Sequence, residues 1–312
     1  MPGAFGIDTS NYTTSTAVYR DGRVLQEKRL LPVSGGAVGL RQSDAVFGHV
    51  KALGELTESL FLQVPGGFSA VGVSDRPRNV EGSYMPCFLA GAAAARTLAA
   101  ACGKPLYRFS HQEGHLAAAL FGSGRLDLIG KRFLAFHLSG GTTECLLAED
   151  FPFGRLTLVS ATNDLNAGQV IDRVGRLMGL SFPAGRELDA LSLRSAKEEF
   201  AKPAFRDGNP CLSGLENQCR KKIQSGAAPE DVARYLLLSV LDAVDRMAGK
   251  AAAETGCEEI VFAGGVTSNT LLRERLSKTY GASFAPAVFS CDNAAGIAVL
   301  AALKNGEAPF KA

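Results

Sequence analysis

Phe133-Leu134-Ala135-Phe136, then Ser139-Gly140-Gly141-Thr142-Thr143, then Cys145-Leu146-Leu147-Ala148: the order is apolar strand, small-residue turn, returning apolar strand. The same theme opens the chain. Phe5-Gly6-Ile7 is a short apolar run, Asp8-Thr9-Ser10-Asn11 a turn cluster, and Thr14 to Tyr19 a stretch rich in β-formers. Asp21-Gly22 then turns the chain into Val24-Leu25. Asp8 and Ser139 lie 131 positions apart. Two like hairpins at that distance predict a duplicated domain, although two small-residue hairpins can also match by chance.

Outward from the first hairpin, helical spacing runs from Val46 through Leu62, and Ala70-Val71-Gly72-Val73 reads as a short buried strand. An Ala-rich helix follows from Leu89 to Ala101, ending near Gly103. Lys104-Pro105-Leu106-Tyr107 then leads into a helix from about Ser110. Outward from the second hairpin, helices are expected over Gly168 to Leu180 and Glu187 to Ser195, and 203–220 reads as irregular. A long amphipathic helix from Pro229 to about Glu254 carries Val232, Leu236, Val240, Val244 and Met247 on one stripe. Next come a strand at Glu259 to Phe262, a turn at Ala263-Gly264-Gly265-Val266 and a helix from Ser268 to Lys278. A last strand ends near Val288-Phe289, and Asn293 to Leu303 closes the chain as a helix. Strands alternating with helices predict layered α/β domains. The expected division is 1–130 and 131–312, the second domain holding a helical insertion and the closing helix free to pack back on the first.

The 312 residues are long for one layered domain and comfortable for two. With 46% hydrophobic and 21% charged residues, disordered, collagen-like and mucin-like classes are excluded. The net charge is only +2, so any RNA contact must come from a local patch or a partner. Seven cysteines (87, 102, 145, 211, 219, 257, 291) without a CxxC pair support neither a disulfide framework nor a zinc knuckle; they read as buried thiols in a reducing cytoplasm. No leader is visible at Met1-Pro2-Gly3, and the apolar tract Ala90 to Cys102 is too short, and broken by Arg96, to span a bilayer. A cytoplasmic protein with no membrane partner is expected.

The sharpest chemical signal is His111-Gln112-Glu113-Gly114-His115. Two His at i and i+4 share a helix face, a spacing at which both imidazoles reach one metal; such a pair also simply caps and packs. Glu113, at i+2, stands about 200° around the helix and points away, so this is not the zincin motif. Asp292, between a strand and a helix, reads as an N-cap or as a third ligand. Three turns follow strands: Leu138 to Thr142, Ala263-Gly264-Gly265-Val266, and Asp8-Thr9-Ser10, where hydroxyls substitute for glycine. Their backbone N–H groups suit phosphate oxygens. Three such turns on a duplicated α/β plan predict a nucleotide site in the architecture of actin, sugar kinases and heat-shock chaperones, the ASKHA fold. Asp172 on a helix, Gly185 in a turn and Asp189 one turn into the next helix suit ribose hydroxyls, or are surface charge and caps.

Taken together, these motifs resemble the tRNA N6-adenosine threonylcarbamoyltransferases of the TsaD type, in order and over nearly the whole chain. His111 to His115 is similar to that family's HxEGH, and Ser139-Gly140-Gly141-Thr142 to its SGGH. Asp164 through Arg173 with Phe182-Pro183-Ala184-Gly185 resembles DDAxGEAFDK…YPGG, Ala263 to Asn269 resembles AGGVxxN, and Cys291 to Ala295 resembles TDNAAM. The resemblance implies one divalent ion, iron or zinc, on His111, His115 and Asp292. It implies a nucleotide-linked substrate on Leu138, Ser139, Gly140, Gly141, Thr142, Asp172, Gly185, Asp189 and Asn269, with Gly264 and Gly265 beside them. It implies transfer of a threonylcarbamoyl group from threonylcarbamoyl-AMP, an ATP-derived nucleotide, to N6 of the adenosine next to the tRNA anticodon. The implied partners are tRNA, a smaller paralogous subunit and an ATPase subunit, with a homodimer as a further possibility; helix 89–101 is a candidate contact.

The sequence also departs from the pattern. Thr142 stands where the family has His, Gln169 replaces the Glu of GEAFDK, and Leu165 replaces an Asp. The family's TxGPGLxGAL appears as Ser74 to Ser83 and gains Arg76 and Arg78, while Asp8 to Thr13 replaces ETSCDET. These changes predict a divergent paralogue. The alternatives are a catalytically altered nucleotide- and metal-binding partner subunit, or an ATP-dependent enzyme of the same fold with another acceptor.

Overall fold

The computed structural model describes residues 3–10, 12–32, 40–290 and 294–307. Two units divide the chain, one made of Met1–Ile129 with Val288–Ala312 and the other of Gly130–Ala287. In the first, the opening hairpin is β1 (Gly3–Asp8) and β2 (Thr13–Arg20), and β3 (Arg23–Leu30) extends it. Then come α1 (Gln42–Gln63), β4 (Phe68–Arg76), α2 (Phe88–Cys102), β5 (Leu106–Ser110) and α3 (His111–Gly122). The sheet order is β3-β2-β1-β4-β5, with β1, β4 and β5 parallel and the hairpins antiparallel.

The second unit begins with β6 (Phe133–Leu138), β7 (Thr143–Glu149) and β8 (Arg155–Ala161), then α4 (Ala167–Leu177) and α5 (Gly185–Ser192). A small hairpin of β9 (Ala204–Arg206) and β10 (Asn209–Cys211) precedes α6 (Ser213–Gln224) and α7 (Pro229–Thr255). The unit closes with β11 (Ile260–Ala263), α8 (Thr270–Tyr280) and β12 (Ser283–Phe284). Its sheet runs β12-β11-β6-β7-β8, again with three parallel strands beside two antiparallel pairings. Strand for strand this repeats the first sheet. The five apolar residues of the α7 stripe are all buried, and Phe136, Phe262 and Phe284 stack across the three parallel strands.

The last helix, α9 (Ala295–Lys304), belongs to the first unit. The cause is composition: Ala295 to Leu303 are all buried, and a helix apolar on every side needs cover all round. It obtains that cover from β1, β4 and α3. At its crossing with α3, a Cβ on Gly296 would stand 1.8 Å from the Gly114 carbonyl oxygen. Only glycine lets the two backbones approach so closely, and that contact sets the position of the helix carrying both histidines.

Other differences from the sequence reading are local. Residues 106–110 form a strand, because their backbone completes the parallel edge beside β4. The stretch 203–220 is not irregular: Asp207 and Gly208, both at positive φ, turn β9 into β10, where Pro210 is tolerated in a two-stranded ribbon. The last strand is Ser283–Phe284, and Ala287–Phe289 is a single 3-10 turn whose Phe289 meets Phe121 edge-on at 5.2 Å. Among the described residues no helix is long and apolar enough to cross a membrane.

Candidate functional site

His111 is the first residue of α3, and its helix starts there because Ser110 and Glu113 close a capping box. The Glu113 N–H donates to Ser110 Oγ at 3.2 Å, and the Ser110 N–H donates to Glu113 Oε2 at 2.6 Å. Glu113 therefore faces back along the helix, away from the imidazoles. The rings of His111 and His115 meet nearly edge-on with centroids 4.2 Å apart. Behind His111 stands Asp8, at the end of β1 and fully buried, with Oδ1 3.2 Å from His111 Nδ1. Ser10 Oγ donates to Asp8 Oδ2 at 2.9 Å, and Ser74 Oγ donates to Oδ1.

The Ser74 to Ser83 segment docks on the same helix start, with the Gln112 N–H donating to the Pro77 carbonyl at 3.1 Å. Arg76, one of the two added arginines, pairs with the nearly buried Asp75 at 2.6 Å and lies 3.9 Å from Glu113. Its charge is matched within the first unit. Asp292, the expected third ligand, lies outside the described residues, as do Cys291 and Asn293. Among the described residues no three His, Cys, Asp or Glu side chains converge as a ligand set. Two imidazoles on one helix face, one of them backed by a buried carboxylate, nevertheless suit a zinc or iron ion.

His49 and the cysteines read differently. His49 is buried on α1, holds Thr14 Oγ1 at 2.8 Å through Nδ1, and burial lowers its pKa. It is a neutral core histidine. Burial pushes the Cys219 thiol up to about 12 and the Cys145 thiol still higher, so neither is a thiolate nucleophile at neutral pH.

In the second unit the candidate nucleotide residues fall on the 138–142 loop, α4, α5 and the 264–269 turn. Leu138 is fully buried at the end of β6, while Gly140 and Gly141 are exposed beyond it. Ser139 Oγ accepts from the Gly141 and Thr142 N–H groups at 3.2 and 3.0 Å. Two of the amides expected to hold a phosphate are thus already turned onto a hydroxyl. The start of α4 is fastened beneath the loop, the Gly168 N–H donating to the Ser139 carbonyl at 3.0 Å. Gly264, at φ +98°, touches the other side: a Cβ there would stand 2.2 Å from the Leu138 carbonyl oxygen. Asp172 Oδ1 accepts the Ala184 N–H at 2.9 Å and so holds the turn before Gly185. Asp189 accepts from Asn269 Nδ2 at 2.7 Å, from the Thr270 N–H at 3.1 Å and from Thr270 Oγ1 at 2.8 Å. Asn269 caps α8 with its own Oδ1, so the Asp189 carboxylate fixes which way that amide points.

Two residues of the Asp164 to Arg173 segment have roles that sequence reasoning missed. Asp164 receives the N–H groups of Leu165, Leu212 and Ser213 together with Ser213 Oγ, and so fastens the start of α6. Burial raises its pKa, but these hydrogen bonds outweigh that and hold it below the ordinary carboxylate range. Gln169 Oε1 accepts the Asn166 N–H at 3.0 Å, a helix-capping contact that Glu makes equally well. The Asn-x-x-Gln spacing was the available signal. Gln169→Glu is therefore expected to leave the urea-unfolding midpoint unchanged, whereas Gln169→Ala costs about 1 kcal/mol, the usual value of a lost cap.

Twin five-stranded sheets of identical order, each with a glycine or hydroxyl turn after its first strand, define an ASKHA-type protein. Solved structures agree on the fold. Full-length HypF in its phosphate- and nucleotide-bound form matches 97% of this chain and 55% of its own at TM-score 0.64 and 13% identity. The ROK hexokinase of Thermus thermophilus matches 98% of this chain and 99% of its own at 0.55 and 14%. The family model for tRNA N6-adenosine threonylcarbamoyltransferase (TsaD) matches residues 48–299. Proteins of that description from Thermus thermophilus and Gloeobacter violaceus are 32% and 30% identical over 95% and 96% of this chain, covering 91% and 89% of their own. The chain belongs to the tRNA N6-adenosine threonylcarbamoyltransferase family.

Proposed function

We propose that this chain transfers the threonylcarbamoyl group of threonylcarbamoyl-AMP to N6 of the adenosine next to the tRNA anticodon. The observation that most supports this is the His111/His115 pair on α3 with buried Asp8 behind it, in a chain of this family. In the reaction the N6 amine attacks the carbamoyl carbon. The new C–N bond forms as the C–O bond to phosphate breaks, AMP leaves with that electron pair, and the proton that N6 gives up passes to solvent. His111, His115 and Asp292 are the residues that would hold a divalent ion. Such an ion would supply positive charge that stabilises the negative charge developing on the leaving phosphate. In the second unit, Gly140 and Gly141 offer exposed backbone to the phosphate, whose oxygen would take over the amides now held by Ser139 Oγ. Asp172, Gly185 and Asn269 face the ribose in this reading, and Asp189 orients Asn269. The partners are tRNA, a smaller paralogous subunit and an ATPase subunit, and the setting is the cytoplasm.

One observation favours a second reading, a paralogue with altered chemistry. Position 142 carries a threonine whose backbone is tied to Ser139, so no imidazole stands in the loop. One assay separates the two. The purified protein is incubated with threonylcarbamoyl-AMP and unmodified tRNA reading codons that begin with A, alone and with the partner subunits. The tRNA is then digested and its nucleosides weighed by mass spectrometry. Transfer predicts N6-threonylcarbamoyladenosine in the digest. AMP release without that nucleoside contradicts the proposal and favours another acceptor.

A further inference from the structure

We propose that Asp8 is the positioning residue that makes His111 a metal ligand, by fixing the proton on Nδ1 and presenting Nε2. This rests on the reading of His111 and His115 as ligands, and it concerns a residue that sequence reasoning placed only in a turn. Asp8 is fully buried, and a buried carboxylate must have its oxygens satisfied. Oδ2 accepts Ser10 Oγ at 2.9 Å; Oδ1 accepts Ser74 Oγ and faces His111 Nδ1 at 3.2 Å. Both oxygens of Asp8 already accept from serine hydroxyls, so Oδ1 meets the ring as an acceptor and Nδ1 is the donor in the last contact. A neutral imidazole protonated at Nδ1 carries its lone pair on Nε2, the form in which histidine binds a metal.

The strand supplies what the helix lacks. His111 is the first residue of α3, where the side chain has no preceding helical turn to pack against, and it remains partly exposed. Asp8 comes from β1, whose pairing to both β2 and β4 fixes its backbone. Ser74 comes from β4, the neighbouring strand, so both groups that fix the carboxylate ride on one sheet. The sheet thereby holds the ring through Asp8, independently of any ion.

The test uses the full-length protein stripped of metal with a chelator. Zn2+ alone is titrated against a competing zinc dye, and the metal-free protein carrying 15N-labelled histidine gives the tautomers by NMR. The wild-type protein is expected to show His111 as the Nδ1–H tautomer before zinc is added. Asp8→Asn keeps the shape and an accepting oxygen, so it should fold and bind zinc roughly 10-fold more weakly; Asp8→Ala should lose up to about 100-fold, the usual span for such groups, and show mixed tautomers. Ser74→Ala leaves His111 its acceptor and should move affinity less than either. Wild-type His111 as the Nε2–H tautomer, or Asp8→Asn and Asp8→Ala binding zinc as tightly as wild type, overturns the proposal while leaving the metal reading intact. Zinc binding that is absent, or indifferent to His115→Ala, overturns both.

Discussion

The His111→Ala/His115→Ala double variant should lose its divalent ion and form modified nucleoside on the order of 10³-fold more slowly, because charge stabilisation by a metal is worth several kcal/mol and each 1.36 kcal/mol is a factor of ten. It should also stay folded. The cap of α3 rests on Ser110 and Glu113, and its packing rests on Leu116 to Leu120, all buried. Neither depends on an imidazole. Asp8 loses one of three partners but keeps both serine hydroxyls. Nucleoside yield from digested tRNA measures the first effect, and thermal unfolding checks the second. An unchanged rate in a metal-free variant would show that the histidines only pack.

Gly264→Ala is the second large effect, on stability and on the glycine loop together. The new Cβ would stand 2.2 Å from the Leu138 carbonyl oxygen and 2.6 Å from its carbon, at a φ of +98° that L-residues rarely adopt. Backbone strain and overpacking each cost about 1–3 kcal/mol, so the sum is roughly 2–6 kcal/mol. Relief must come from Leu138, which is fully buried and begins the 138–142 loop, so AMP binding should fall with stability. Gly265→Ala is the control: nothing lies within 4 Å of its Cβ and its φ is not positive, so its urea midpoint should match wild type. Equal midpoints for the two variants would contradict the close approach of β6 and the Gly264 turn.

Much of the fold was legible because it repeats. Strand, small-residue turn and returning strand recur at Asp8 and Ser139, and the two sheets share one strand order. The α7 stripe was legible because its period matches a helix, and all five of its residues are buried. What the sequence hid depends on partners distant in the chain. β5 exists through its pairing to β4, and α9 joins the first unit through contacts with strands more than 200 residues earlier. The same holds at the site. The His111 to His115 spacing is local and stood out. Asp8 meets His111 only across 103 positions, and Asp189 meets Asn269 across 80, so no spacing rule announces either. The motif casts Gln169 as a change in chemistry, whereas its contact is a cap that Gln and Glu share.

Elemental analysis of the protein, purified without chelator and without added metal, bears most directly on the central claim. About one equivalent of a divalent transition metal per chain is expected, held in the wild type and absent from the His111→Ala/His115→Ala variant, as for a single site built on that pair. A wild-type protein that carries no metal and still forms the modified nucleoside, at a rate added zinc or iron does not change, would contradict it.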